Sequence, residues 1–327
     1  NHMYQSKLNL IDTEIAIKFI KDHFEKHLAK ALNLTRVSSP LLVSRSSGIN
    51  DYLNGVEVPV HFAYEDQTIE VVQSLAKWKR VALKRYGFGV HEGLYTDMNA
   101  IRKDEILDYL HSMYVDQWDW EKIILKEDRN TAYLKKVVRS IYSVLLGMEK
   151  VLIKRYPNLH KKLPSKITFI DSQTLENKYP HLSAKQREHE ITKCHQAVFI
   201  LRIGGLLKSN TIHDGRSPDY DDWQLNGDLL LYDAVSDAPI EISSMGIRVD
   251  DISLLKQLEE RQALDRLKYP YHQAILHQTL PLTIGGGIGQ SRLCQFLLEK
   301  KHIGEVQASY WPEATLVELA KEGMQIL

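Results

Sequence analysis

Near its C-terminal end the chain reads Gly285-Gly286-Gly287-Ile288-Gly289 and runs straight into Gln290-Ser291-Arg292. So many glycines in a row suit a turn whose backbone comes close to a phosphate or a flat base. A helix opening behind the turn would add the positive end of its dipole. The positions after Ser291 fit a helix reaching Lys300. The segment is not a P-loop, because no Gly-Lys-Ser/Thr follows, and no βαβ unit surrounds it as a dinucleotide fingerprint requires. Read alone, it is also satisfied by a plain strand-to-helix turn. Arg292, early in the helix, favours a ligand, since a planar cation stacks on a purine or meets a phosphate.

The rest of the chain bounds what that ligand is. Its 327 residues allow two domains or one large mixed sheet with insertions, and 43% hydrophobic with 26% charged residues is ordinary for a globular chain. Forty-two basic residues balance forty-two acidic ones. A net charge of zero argues against a broad nucleic-acid footprint, which needs a basic surface to displace counterions, but leaves room for a local pocket for a small polyanion. Cys194 and Cys294 are too few for a disulfide framework and fit a reducing cytoplasm. The longest apolar run, Ala197 to Leu207, is broken by Arg202 and is too short to span a bilayer, so no membrane partner is expected. Asn1-His2 before Met3 reads as an expression remnant, leaving residues 4–327 as one domain.

Periodicity places the elements. Asp12 or Thr13 is expected to cap a helix with Ile15, Phe19, Ile20, Phe24 and Leu28 on its apolar face. Arg36 to Ser44 reads as one strand interrupted by Pro40, and Val56–Phe62 with Thr68–Val72 as a hairpin. Leu75–Tyr86 reads as a helix stopped by Gly87, and a long helix is expected over Ala132–Tyr156. Lys166–Asp171 and Ala197–Ile203 read as strands around a charged helix at Ala184–Lys193. Asp228–Tyr232 and Ile240–Ile242 read as short strands. This irregular order favours an α+β antiparallel sheet over a regular βαβ alternation.

Two further segments carry chemistry. A hairpin begins at Ile101-Arg102-Lys103-Asp104 and returns along Met113 to Trp120. Alternation on the returning strand puts Val115, Gln117, Asp119 and Glu121 on one face and Asp116, Trp118 and Trp120 on the other. Such a polar face suits a polar pocket, though a solvent-facing edge strand with its tryptophans inward would look the same. Asp221, Asp228 and Glu241, with Arg248 seven positions on, have the composition of a Mg²⁺ and triphosphate site. Taken singly, those carboxylates read as solvated loop residues.

In this order the three segments resemble the ATP-binding core of the class II aminoacyl-tRNA synthetases. Gly285-x-Gly287-x-Gly289-x-x-Arg292 resembles that superfamily's third motif, and Arg102-x-Asp104 with the Gln-Trp-Asp strand its second. The longer strings Ser74-Leu75-Ala76-Lys77-Trp78-Lys79-Arg80, Tyr114-Val115-Asp116-Gln117-Trp118-Asp119-Trp120-Glu121, Pro218-Asp219-Tyr220-Asp221-Asp222-Trp223 and Ser243-Ser244-Met245-Gly246-Ile247-Arg248 resemble the ammonia-dependent asparagine synthetases. That resemblance implies a class II synthetase-like fold, a mostly antiparallel sheet flanked by helices, with no anticodon-binding domain beside it. It implies a ligase making asparagine from L-aspartate, ammonia and ATP through β-aspartyl-AMP, with release of AMP and pyrophosphate.

The same resemblance assigns roles. Asp51 would bind ammonium and take its proton, and Arg102 and Arg248 would stabilise charge at the phosphates. Ser74, Lys79, Gln117, Asp119 and Ser244 would hold aspartate. Arg102, Asp221, Asp228, Glu241, Arg248 and Arg292 would hold ATP, with Asp228 and Glu241 on Mg²⁺. Without the resemblance, Asp51 is an ordinary turn residue. A homodimer through residues Ile11 to Ser44 is expected, with no nucleic-acid partner and a cytoplasmic location. Free ammonia is the expected nitrogen donor, because the chain starts Met3-Tyr4-Gln5 rather than with the N-terminal cysteine of a glutamine amidotransferase. Two rivals stay open: a free-standing core that adenylates lysine for a protein acceptor, which Lys79 opposes, and a catalytically dead paralogue, which the retained arginines oppose.

Overall fold

The computed structural model describes residues 3–327, so Asn1 and His2, expected to be a remnant, lie outside the described residues. Helix α1 (Leu10–Leu32) is followed by strands β1 (Leu34–Arg36), β2 (Leu42–Ser44), β3 (His61–Tyr64) and β4 (Gln67–Val71), then helix α2 (Ala76–Tyr86). Strands β5 (Gly93–Ile101) and β6 (Tyr114–Ile123) precede the long helix α3 (Thr131–Arg155), strand β7 (Thr168–Asp171) and helices α4 (Ser172–Lys178) and α5 (Ala184–His195). Then come β8 (Ala197–Leu201), β9 (Asp221–Asp233), β10 (Ala238–Arg248), α6 (Asp251–Glu260), α7 (Pro270–Leu276), β11 (Thr283–Gly289), α8 (Gln290–Leu297) and α9 (Glu313–Lys321).

Strands β1-β5-β6-β11-β10-β9-β8-β7 form one eight-stranded sheet and β2-β4-β3 a small second one. The large sheet is antiparallel throughout its middle and parallel only at its two edges, β1 with β5 and β7 with β8. The α+β expectation holds. No described helix is long and apolar enough to cross a membrane.

One face of the sheet is apolar. Trp118 and Trp120 are fully buried there, and Phe24 of α1 meets Trp118 with ring centroids 4.8 Å apart. Such a pair adds about 0.5–1.5 kcal/mol beyond its buried area. The apolar stripe of α3 (Leu134, Val138, Ile141, Leu145, Met148) joins the same core, as do Leu293 and Phe296 of α8. The opposite face of β6, β11 and β10 is polar and left open, and the site lies there.

Several boundaries differ from the sequence expectations. The cap of α1 is Asn9, whose side chain accepts from the Asp12 backbone N–H at 2.8 Å, and Ile15 is exposed while Ala16 and Ile17 are buried. Residues 36–44 are not one strand: β1 and β2 belong to different sheets, because Pro40 cannot donate to a ladder. The short strands expected at 228–232 and 240–242 are parts of two long ones, β9 and β10.

The glycine run is the main correction. It is not a turn but a strand, β11, paired on both sides. A Cβ on Gly285 would lie 1.8 Å from Glu121 Oε1, on Gly287 2.2 Å from Gln117 Oε1, and on Gly286 2.5 Å from Met245 Cβ. Large neighbours on both faces therefore exclude side chains. Nor does the start of α8 lie open to an anion. Asp116 fills it, accepting from the Ser291 N–H at 3.2 Å and from Ser291 Oγ at 2.6 Å. The protein's own carboxylate thus occupies the positive end of that helix.

Candidate active site

Over the glycine strand lies a cleft of about 460 Å³ whose walls come from segments between Asp51 and Gln307. Asp51, Ser74, Lys79, Arg102, Gln117, Asp119, Asp221, Glu241, Ser244, Arg248 and Arg292 all line it. Of the residues given a role in binding or catalysis from sequence, Asp228 alone does not.

The β-strand period explains the floor. Gln117 and Asp119 alternate with the buried tryptophans on β6, as the sequence pattern predicts, and Gly287 lies opposite Asp119. Glu121 continues that face but is fully buried beneath the cleft, where it accepts from Arg248 Nε at 3.0 Å and from Thr283 Oγ1 at 2.8 Å. Burial raises the Glu121 carboxyl, but the charges of Arg248 and Lys79 outweigh it and the net shift is downward. Glu121 was visible in the alternation, yet only the fold shows that it anchors Arg248. Asp221 grips the other end of the same guanidinium. Burial pushes the Asp221 carboxyl up, and Arg248 offsets part of that. A buried arginine clamped between two carboxylates keeps one orientation, which is what stabilising a developing charge requires.

Lys79 Nζ donates to Asp119 Oδ1 at 3.1 Å, to the Trp120 carbonyl at 3.0 Å and to the Gly286 carbonyl at 3.0 Å. An ammonium has three donors, so all are engaged within the protein. Lys79 therefore contributes positive charge to the cleft and fixes Asp119. Arg102, at the mouth of the hairpin, spends only its Nε, donated to the Gln73 carbonyl at 3.1 Å. Arg292 donates to the Glu241 carbonyl at 3.0 Å.

Asp51 is 1% exposed yet reaches the cleft. Its Oδ1 accepts from the Leu53 N–H at 2.8 Å, and its backbone is held by Asn50 Oδ1 and Gln73 Nε2. Burial raises its carboxyl above the usual range, and the nearby Lys77 charge counters part of the rise.

Asp228 sits on β9 opposite Ser244, behind Arg216. Arg216 lines the cleft, pairs with Asp228 and donates to Asp214 at 3.0 Å. Sequence reasoning missed Arg216, since it stands in a loop with no periodicity to mark it. Asp228 Oδ1 is buried with no hydrogen-bond partner. Burial and the charge of Glu241 push the Asp228 carboxyl up to about 7, even against Arg216. An orphaned oxygen beside a second carboxylate fits a hard cation. Among the described residues no cluster of three or more His, Cys, Asp or Glu is placed to hold a metal, so phosphate oxygens would have to complete any such site.

Comparison with known proteins agrees with this geometry. A family model described as aspartate-ammonia ligase matches residues 11–323. An aspartate–ammonia ligase of Clostridium perfringens (strain SM101) is 57% identical over 327 residues, 99% of this chain and 97% of that protein. One from Fusobacterium nucleatum is 58% identical over 311 residues, 95% of each. In fold, the chain is similar to an asparaginyl-tRNA synthetase from Pyrococcus horikoshii complexed with asparaginyl-adenylate. The TM-score is 0.67 at 14% identity, over 92% of this chain and 70% of that one. An Entamoeba histolytica asparaginyl-tRNA synthetase superposes with a TM-score of 0.61 at 13% identity, over 90% of this chain and 66% of that one. The large sheet is thus that of the class II synthetases, and the chain belongs to the aspartate–ammonia ligase family.

Proposed function

We propose a residue-level course for the ATP-dependent synthesis of asparagine from aspartate and ammonia that membership of this family assigns to the chain. The observation that carries it is the make-up of the cleft: four arginines (Arg102, Arg216, Arg248 and Arg292) and a buried acid, Asp51, share one cavity over a glycine floor. Gln117 and Asp119 hold the amino and carboxylate groups of aspartate, with Ser74 and Ser244 as further polar partners. Lys79 favours an anionic substrate by its charge. A side-chain carboxylate oxygen of aspartate attacks the α-phosphorus of ATP, the bond to the bridging oxygen breaks, and pyrophosphate leaves. Arg102, Arg248 and Arg292 neutralise the phosphates as the two anions approach. In the second half, ammonium gives a proton to Asp51. The freed ammonia attacks the acyl carbon of β-aspartyl-AMP, the adduct's second proton passes to solvent, and AMP leaves as the carbonyl re-forms.

Mg²⁺ would be held by Asp228 and Glu241 together with phosphate oxygens, and would supply charge neutralisation there. Because a metal binds the carboxylate and not the acid, its affinity should depend on the protonation of Asp228. Isothermal titration of Mg²⁺ with a non-hydrolysable ATP analogue should show affinity weakening as pH falls through about 7. Asp228→Asn should reduce that dependence to the part set by protonation of the analogue's own terminal phosphate.

Residues 4–327 are one catalytic domain on this reading, since strands from both ends of the chain share one sheet. A cytoplasmic homodimer goes with it. Ile11 and Ile15 on α1, and Leu41 and Leu42 beyond it, leave apolar surface exposed within the stretch expected to dimerise. A monomer mass in sedimentation at working concentration would remove that part. The central test is product analysis with aspartate, ATP, Mg²⁺ and ammonium. AMP should appear with asparagine, one for one. ADP in its place, or pyrophosphate exchange driven by lysine and not aspartate, would overturn the assignment.

A further inference from the structure

Behind the cleft wall that carries Asp51 lies a group of buried charges that does not line the cavity. Lys77, two residues before Lys79 on α2, is 2% exposed. Its Nζ donates to the Asn50 carbonyl at 3.1 Å, directly before Asp51, and pairs with Asp219 Oδ2 at 3.0 Å. Asp219 is fully buried. The same Oδ2 accepts from His272 Nε2 at 2.9 Å and Arg266 Nη1 at 3.0 Å, while its Oδ1 accepts from Ser217 Oγ at 2.7 Å. The Tyr271 ring lies 6.0 Å below the Lys77 ammonium, and its hydroxyl donates to the Asp219 carbonyl at 2.8 Å.

Burying so many charges is costly, and an apolar cluster would fill the same space more cheaply. What this arrangement adds is control over Asp51. Lys77 attracts its negative charge and Asp219 opposes it, with Arg102 attracting it from the cleft side. Tyr220, half-buried, is a further titratable neighbour, and its hydroxyl stays protonated because desolvation and Asp51 both raise it. His272 is held in its neutral form by burial, so it donates a hydrogen bond to Asp219 without adding charge.

We propose that Lys77 is the positioning residue of the ammonium site: it anchors the 48–53 loop through the Asn50 carbonyl and keeps Asp51 ionised, with Asp219 setting how strongly it does so. The inference rests on the reading of Asp51 as the ammonium-binding acid. Asp51 can hold a cation and later take its proton only while it is a carboxylate. In a site this dry, that state needs a permanent positive charge close by.

The experiment follows asparagine formation and aspartate-dependent ATP–pyrophosphate exchange across pH in four variants. Lys77→Met should move the acid limb of asparagine formation upward by about one pH unit or more and raise KM for ammonium about tenfold at neutral pH, with the limb for exchange unmoved. Asp219→Asn, nearly isosteric, should move the limb the opposite way, which covers the case in which Lys77→Met does not fold. Lys77→Arg should restore the starting profile. The proposal is overturned if the limb stays in place in Lys77→Met and Asp219→Asn, or if the exchange reaction moves with it. Asp51→Asn separates the two levels. If asparagine formation survives in it, the ammonium-site reading itself fails. If it is lost there while the limbs do not move in the other variants, only the role of Lys77 falls.

Discussion

Asp51→Ala should cut asparagine formation by about 10²–10⁴-fold, the usual worth of a positioned acid–base group, while aspartate-dependent ATP–pyrophosphate exchange stays within severalfold. The split follows from where Asp51 stands. It lines the cleft from the 48–53 loop, whereas the arginines proposed to meet the phosphates come from the sheet, its hairpin and α8. Its backbone contacts, from Asn50 Oδ1 to its N–H and from Gln73 Nε2 to its carbonyl, do not involve the side chain, so the loop survives truncation. Truncation costs the Leu53 N–H its acceptor but also removes an acid whose burial is unfavourable, so the melting temperature should change little. High ammonium at alkaline pH, where free ammonia is abundant, should recover part of the lost rate. Equal loss of both reactions would place Asp51 in adenylation instead.

Gly285→Ala should strongly damage the floor of the cleft. The added Cβ would stand 1.8 Å from Glu121 Oε1 and 2.8 Å from Arg248 Nη2. Neither group has room to retreat. Glu121 is tied to Thr283 and to Arg248, and Arg248 is held from the far side by Asp221. Overpacking of this kind costs about 1–3 kcal/mol of stability, and here the strain falls on Arg248, the arginine proposed to meet the phosphates. Pyrophosphate exchange should drop by about 100-fold or more, a loss of about 2.7 kcal/mol in transition-state stabilisation. Gly147→Ala is the matched control. It lies on an exposed stretch of α3 with nothing within 4 Å of the new Cβ, so it should stabilise the helix by about 0.5–1 kcal/mol and leave activity alone. Exchange rates and melting temperatures that agree between the two variants would show that the floor of the cleft is not tightly packed.

The two faces of β6 were legible because alternation is a local property. Two tryptophans at every second position must go inward, and that sends Gln117, Asp119 and Glu121 the other way whatever the rest of the chain does. The glycine run was legible as a place of close approach but misassigned as a turn. Glycine has poor strand propensity, and what makes β11 a strand is the company on either side: Glu121 and Gln117 fill the space that its own side chains would need. The strand split at Pro40 had a local marker, whereas the cap of α1 moved to Asn9 because Asn, Asp and Thr within one turn compete on nearly equal terms.

By itself, then, the sequence determined the class of fold, the polar and apolar faces of the central strand, and eleven of the residues that line the cleft. These depend on periodicity and on motif strings that are local in the chain. Tertiary structure alone decided which charge holds which. It set Asp116 rather than a ligand at the start of α8, turned all three donors of Lys79 inward, placed Arg216 in front of Asp228, and put Lys77 and Asp219 behind Asp51. The physical reason is range. Side-chain alternation is dictated by a residue's own backbone, but an ion pair such as Arg248 with Glu121 joins positions 127 residues apart, and nothing local in either segment specifies the partner.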